Sequence, residues 1–286
     1  MANITTIDAS WVQAQFPELS EIELLGKGGQ KLVFAASHPT DGQVVIKLIH
    51  PAQPNEATDR EILAVEVIHS SRVPRILDRG NIPVSIGQII WLREQRIIGL
   101  TAREALRAGP FDAGRLLRLG LHVLEALAEA ERAQIVHRDV KPDNIMIDGK
   151  GDFWLLDFGI ARHLNLQSLT GTGQIWGKFT LGYAPPEQCR NIKPHIDSRS
   201  DLFALGVTLY ECAKGVHPFR HPPANELDVL KRVETLILPR LQLAFPAADQ
   251  FCDFVEAMIQ KRRDLRPSSA REALTWMQEI CTKEQV

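Results

Sequence analysis

The sequence predicts an α+β protein of two lobes, a strand-rich first lobe and a mostly helical second one. Three observations carry this. Short apolar runs with period-two patterning, and the hairpin signal Asp41-Gly42, occupy the first part of the chain. Leu117, Leu121, Leu124 and Ala128 then recur at helical spacing. Asp201 to Cys212 is apolar nearly all round, which marks a helix buried at the centre of its lobe. Strands followed by helices predict two lobes with a ligand-sized cleft between them.

In chain order, Trp11 and Phe16 are expected to pin an N-terminal helix onto the first lobe. Strands are predicted over Ile22 to Leu25, Lys31 to Ala36 and Gln43 to Ile49. In the third, the period of two puts Val45, Lys47 and Ile49 on one face, where a lysine among apolar neighbours needs a charged partner. Glu56 to His69 reads as a helix, and Gln88 to Leu92 as a further strand. In the second lobe, Phe251 to Ile259 and Ser269 to Ile280 are amphipathic helix candidates. The expected organisation is an extension over 1–20, a first lobe over 21–96 and a second over 97–286.

The 286 residues suffice for two lobes, and 44% hydrophobic with 24% charged residues is a globular composition. A net charge of −2 gives no reason to expect nucleic-acid binding. No apolar run is long enough to span a bilayer, and the first residues have neither a basic nor an apolar signal-peptide region. Cys189, Cys212, Cys252 and Cys281 are widely spaced, as expected of reduced structural thiols in a cytoplasmic protein. His122 and His163 are expected at the surface.

The most informative run is His137-Arg138-Asp139-Val140-Lys141-Pro142-Asp143-Asn144, followed thirteen residues after Asn144 by Asp157-Phe158-Gly159. Either could be a turn rich in Asp and Asn. Together, in this order, they resemble the catalytic and magnesium loops of the Hanks-type protein kinases, with a bacterial Ser/Thr flavour.

The resemblance covers about Ile22 to Gln278 and implies a bilobal protein-kinase fold, with an antiparallel sheet and one main helix in the N-lobe and a mostly helical C-lobe. It implies ATP and Mg²⁺ (or Mn²⁺) as cofactors. Asp139 would orient the acceptor hydroxyl and take its proton, and Lys141 would neutralise the transferring phosphoryl group. Asn144 and Asp157 would hold metal. Lys47, in Val44-Val45-Ile46-Lys47, would contact the α- and β-phosphates and pair with a helix glutamate, for which Glu61 is chosen over Glu56 and Glu66.

Gly26-Lys27-Gly28-Gly29-Gln30-Lys31-Leu32-Val33 resembles the Gly-rich phosphate loop, with Gly26, Lys27, Gly28, Gly29 and Val33 as ATP-binding positions. Lys31 replaces the family's third glycine, and a plain Gly-rich hairpin is the bland alternative. Leu92 to Gly99 resembles the adenine hinge in either of two registers, with Arg93 and Glu94 unusual there.

Thr180 in Thr180-Leu181-Gly182-Tyr183-Ala184-Pro185-Pro186-Glu187 matches the threonine that contacts the catalytic Asp and Lys. Glu187 would pair with Arg266, Asp201 would support the catalytic loop, His137 would pack beneath the magnesium loop, and Phe158 would be structural. Arg138 would meet a phosphorylated residue, for which Ser168, Thr170 and Thr172 are candidates.

The implied partners are protein substrates with Ser/Thr acceptors, with a transient homodimer as a route to trans-autophosphorylation. No nucleic acid and no membrane insertion are expected. The chain reads as a standalone soluble kinase or a piece of a longer one. A nucleotide-binding pseudokinase or scaffold, and a small-molecule kinase, remain as alternatives.

Overall fold

The computed structural model describes residues 7–28, 31–49, 68–84, 87–158, 179–222 and 224–284. They fall into two compact units. Among the described residues, the first holds the chain up to Ile49 and Pro74–Ile97, and the second holds 68–73 and the chain from Ile98 onward.

The first unit begins with α1 (Ala9–Gln15), whose first turn is capped by Asp8, the carboxylate accepting the Trp11 N–H at 2.9 Å. An antiparallel sheet follows, from β1 (Ser20–Lys27), β2 (Lys31–His38), β3 (Gly42–Ile49), β4 (Ile76–Pro83) and β5 (Gln88–Gln95), in the order β1-β2-β3-β5-β4. Period-two alternation sends Val44, Ile46 and Leu48 of β3 to one face, beside Leu32, Phe34 and Ala36 of β2. Val12 and Phe16 pack onto that face, and the Phe16 ring meets Trp91 edge-on at 5.0 Å. Burying each such side chain contributes about 1.5–3 kcal/mol. Lys47 lies on the opposite face, between Val33 of β2 and Leu92 of β5.

The structure moves one strand end, adds a strand and shortens one expected helix at its end. The strand expected to stop at Leu92 continues to Gln95, because Arg93 and Glu94 find ionic partners within the unit. β4 had no sequence signal, since Asp78, Arg79 and Asn81 interrupt its apolar pattern. The predicted Glu56–His69 helix lies largely outside the described residues, and its last two positions, Ile68 and His69, are not helical.

The second unit opens with β6 (Gly99–Thr101) and a short helix α2 (Ala102–Ala105), closed by a capping box between Thr101 and Glu104. Then come α3 (Ala113–Arg132), capped by Asp112, and β7 (Ile145–Asp148) paired antiparallel with β8 (Phe153–Leu155). Among the described residues, the α-helices that follow are α4 (Pro186–Cys189), α5 (Ser198–Lys214), α6 (Glu226–Thr235), α7 (Ala248–Met258) and α8 (Ala270–Glu284).

As its composition predicts, α5 is buried continuously from Ser200 to Cys212. It ends where Gly215 adopts the left-handed φ of 73° that glycine accepts without strain. Gly206 lets α7 approach closely, since a Cβ there would lie 2.8 Å from Ile259 Cγ2 and 2.9 Å from Met258 Cβ. Cys189, Cys212, Cys252 and Cys281 are free and buried. No helix among the described residues is long and apolar enough to cross a membrane.

Candidate active site

The β7–β8 hairpin sets the register of the second unit's site. Ile145 opposes Leu155, and just beyond that pair the Leu156 N–H donates to the Asn144 carbonyl at 2.8 Å. Asn144 and Asp157 therefore stand at the open end of one hairpin, although Asp157 is thirteen positions further along the chain. Asp157 holds a positive φ of 58°, uncommon for a non-glycine residue and frequent where geometry serves a site.

Asp139 is the hub of a dense polar group. Its Oδ1 accepts the Thr180 hydroxyl at 2.7 Å, and its Oδ2 lies 3.0 Å from Lys141 Nζ. Lys141 Nζ also donates to Thr180 Oγ1 at 2.7 Å, closing a triangle of carboxylate, ammonium and hydroxyl. The Asn144 amide donates to the Asp139 carbonyl at 2.9 Å and to Asp139 Oδ2 at 3.1 Å. With its amide nitrogen so engaged, Asn144 keeps its carbonyl oxygen as a potential hard-cation ligand.

The loop carrying Asp139 is fixed from beneath. Fully buried Asp201 accepts the His137 N–H on Oδ2 and the Arg138 N–H on Oδ1, each at 2.7 Å. Burial pushes its carboxyl up to about 7, against the pull of those two donors. Arg138 has a φ of 65°, and its carbonyl accepts from Gln188 Nε2 at 2.9 Å.

His137 is wholly buried. Its Nδ1 accepts the Asp139 N–H at 3.2 Å, which leaves Nε2 to donate to the Leu156 carbonyl at 2.7 Å. Its ring lies edge-on to Phe158 at 4.6 Å. Glu187 forms a forked ion pair with Arg266, at 2.7 and 3.1 Å, and also accepts the Ser200 hydroxyl at 3.0 Å.

In the first unit, Gly26 pairs with Val33 and Lys27 with Leu32, and the Gly28 N–H donates to the Lys31 carbonyl at 2.7 Å. Gly26, Lys27 and Gly28 thus lie at the end of β1, beside the first residues of β2. Lys47 Nζ lies 2.5 Å from Glu94 Oε2, and both residues are buried. Glu94 is thus a carboxylate partner of Lys47 that the sequence did not suggest. Glu61 itself, with Gly29, Ser168, Thr170 and Thr172, lies outside the described residues.

Two further features had little or no sequence signal. Arg103 on α2 contacts Glu211 at 2.6 Å, the Tyr183 hydroxyl, and Asp143 at 3.3 Å. This joins the segment holding Asp143, the segment after Thr180 and α5. The Tyr183 hydroxyl donates to Glu211 Oε2 at 2.5 Å, and burial followed by the Glu211 charge raises its pKa well above the ordinary range. His122, expected at the surface, is buried in α3 and accepts the Phe153 N–H at 3.1 Å. Burial, then the nearby Arg72, lowers its pKa, so a neutral ring suits that acceptor role.

An oxygen set of this kind suits Mg²⁺, which takes one or two carboxylates and completes its shell with water and phosphate. Among the described residues no three His, Cys, Asp or Glu side chains gather into an all-protein cage.

This arrangement coincides with a family match. The family model described as "Protein kinase domain" matches residues 19–281, and the chain belongs to that family. It is 34% identical over 205 residues to the probable serine/threonine-protein kinase PknB of Corynebacterium glutamicum, covering 68% of this chain and 31% of that protein. It is 39% identical over 160 residues to the serine/threonine-protein kinase PknL of Mycobacterium tuberculosis, covering 56% and 38%. To the probable serine/threonine-protein kinase PkwA of Thermomonospora curvata it is 32% identical over 255 residues, covering 87% and 32%. The matched region spans about a third of the length of these relatives.

Proposed function

We propose that this chain is an ATP-dependent protein serine/threonine kinase that transfers the γ-phosphoryl group to Ser and Thr hydroxyls of protein substrates. One observation carries the reading: the closed set of Asp139, Lys141, Asn144 and Thr180 around one carboxylate. The Thr180 hydroxyl already donates to Asp139 while accepting from Lys141, a hydrogen-bonding pattern that an acceptor hydroxyl would need.

In this reading Asp139 orients the acceptor hydroxyl and takes its proton, and Lys141 offsets charge on the phosphoryl group in flight. Asn144 through its carbonyl oxygen, and Asp157 through its carboxylate, would hold Mg²⁺. Lys47 would hold the α- and β-phosphates, and the backbone of Gly26–Gly28 at the end of β1 would face phosphate oxygens. Mg²⁺-ATP, when bound, supplies the phosphoryl group and neutralises its charge. Asp201 and His137 position the loop rather than react. Phosphorylation at Thr170 or Thr172, in trans within a transient homodimer, is the proposed route of activation, with Arg138 receiving the phosphate.

Intact mass spectrometry before and after incubation with Mg²⁺-ATP, beside the Asp157→Asn variant, tests the reading. Phosphate-mass additions in the wild type alone are expected, with peptide mapping to Thr170 or Thr172. Nucleotide binding without transfer, to itself or to a general protein acceptor, would instead make the chain a non-transferring nucleotide binder.

A further inference from the structure

The buried pair between Lys47 and Glu94 is not accounted for by the proposed chemistry. A glutamate is unfavourable in a strand, and doubly so when 7% exposed. The register explains how the pair forms. Glu94 lies opposite Val45, and Lys47 opposite Leu92, so the two are diagonal neighbours on one face of the β3–β5 ladder. Buried Ala35, Ile49, Ile90 and Leu92 share that face. In such surroundings the attraction between the ends is strong, and neither charge is well solvated alone.

We propose that Glu94 is an affinity-setting and positioning residue: it holds the Lys47 ammonium and competes with nucleotide phosphate for it. This rests on the reading that Lys47 binds the α- and β-phosphates. A phosphate arriving at Lys47 must share a cation that a carboxylate already neutralises. The carboxylate also repels the incoming anion. Nucleotide affinity is therefore kept below what Lys47 would otherwise give, and Lys47 enters the bound state from a fixed position on the sheet rather than from a rotamer ensemble.

The test is the Glu94→Gln variant, which keeps the shape and a hydrogen-bonding oxygen but removes the charge. Dissociation constants are measured by titration calorimetry for Mg²⁺-ATP, Mg²⁺-ADP and adenosine. Both nucleotides should bind about five- to tenfold more tightly in the variant, while adenosine changes less than about twofold. A merely structural role would shift all three alike or none.

Unchanged or weaker nucleotide binding in folded Glu94→Gln overturns the proposal, as does an equal shift for adenosine. Glu94→Asp, which withdraws the charge by one methylene, should show a smaller tightening with the same phosphate dependence. It decides the matter should the glutamine variant fail to fold. Lys47→Met separates the two levels. If it leaves nucleotide binding intact, the phosphate role of Lys47 fails. If it weakens nucleotide but not adenosine binding while Glu94→Gln changes nothing, only the role of Glu94 fails.

Discussion

Asp139 faces a hydroxyl on one oxygen and an ammonium and an amide on the other. Replacing that carboxylate with an amide puts an N–H₂ group where at least one donor already points. Asp139→Asn should therefore lower kcat about 10²–10⁴-fold, with the KM for ATP changed only a few-fold, in a steady-state assay on a protein substrate.

His217 gives a second prediction at this scale. Its Nδ1 accepts the Phe219 and Arg220 N–H groups at 3.1 and 3.2 Å. Burial, helped by the Arg220 and Arg103 charges, brings its pKa down to about 3. The folded ring stays neutral while the unfolded one protonates near its ordinary value of about 6.5. Between those values the unfolded state binds the extra proton, so this group's contribution favours folding less and less as pH falls from about 6.5 to about 3. The slope attributable to it reaches about 1.4 kcal/mol per pH unit. His217→Asn keeps a side-chain acceptor for a backbone N–H two residues on, without a titrating ring. Denaturant melts across this range should show the acid slope reduced in the variant.

Elements meet through a few buried polar joints as well as apolar packing. Arg266, just after the 3₁₀ turn Arg263–Leu265, reaches Glu187 on α4 while donating to the Gln260, Lys261 and Arg199 carbonyls. That side chain is fully buried, so removing it strands a carboxylate and three carbonyls. Arg266→Met should cost about 3–5 kcal/mol in urea unfolding, while the double variant with Glu187→Leu should lose less than the two single losses added. Packing between α5 and α7 has a steric counterpart. At Gly206→Ala the new Cβ meets Ile259 and Met258 below van der Waals distance, for an expected loss of about 1–3 kcal/mol.

For the whole molecule, the consequence of nucleotide binding is thermodynamic. A ligand that binds only the native state stabilises it by mass action. Mg²⁺-ADP at a hundred times its dissociation constant should add about 2.7 kcal/mol, seen as a rise in Tm. Lys47→Met should lose that rise at the same nucleotide concentration, and an undiminished rise would remove Lys47 from the nucleotide site.

Local patterns along the chain specify the order of strands before helices, the buried character of α5, and the runs that place Asp139, Lys141, Asn144 and Asp157 close along the chain. These were legible because period and motif spacing report local geometry, and because β7 and β8 form a tight hairpin. The tertiary structure alone decided that Glu94 meets Lys47 across 47 residues, which depends on which strand lies beside β3 and in what register. It alone brought Arg103 to Glu211 across 108 residues. It also turned His122 inward, because β8 presents the Phe153 N–H to α3 and a buried donor needs an acceptor. Such contacts depend on how elements pack, and a pattern of residues along one element carries no record of its neighbour.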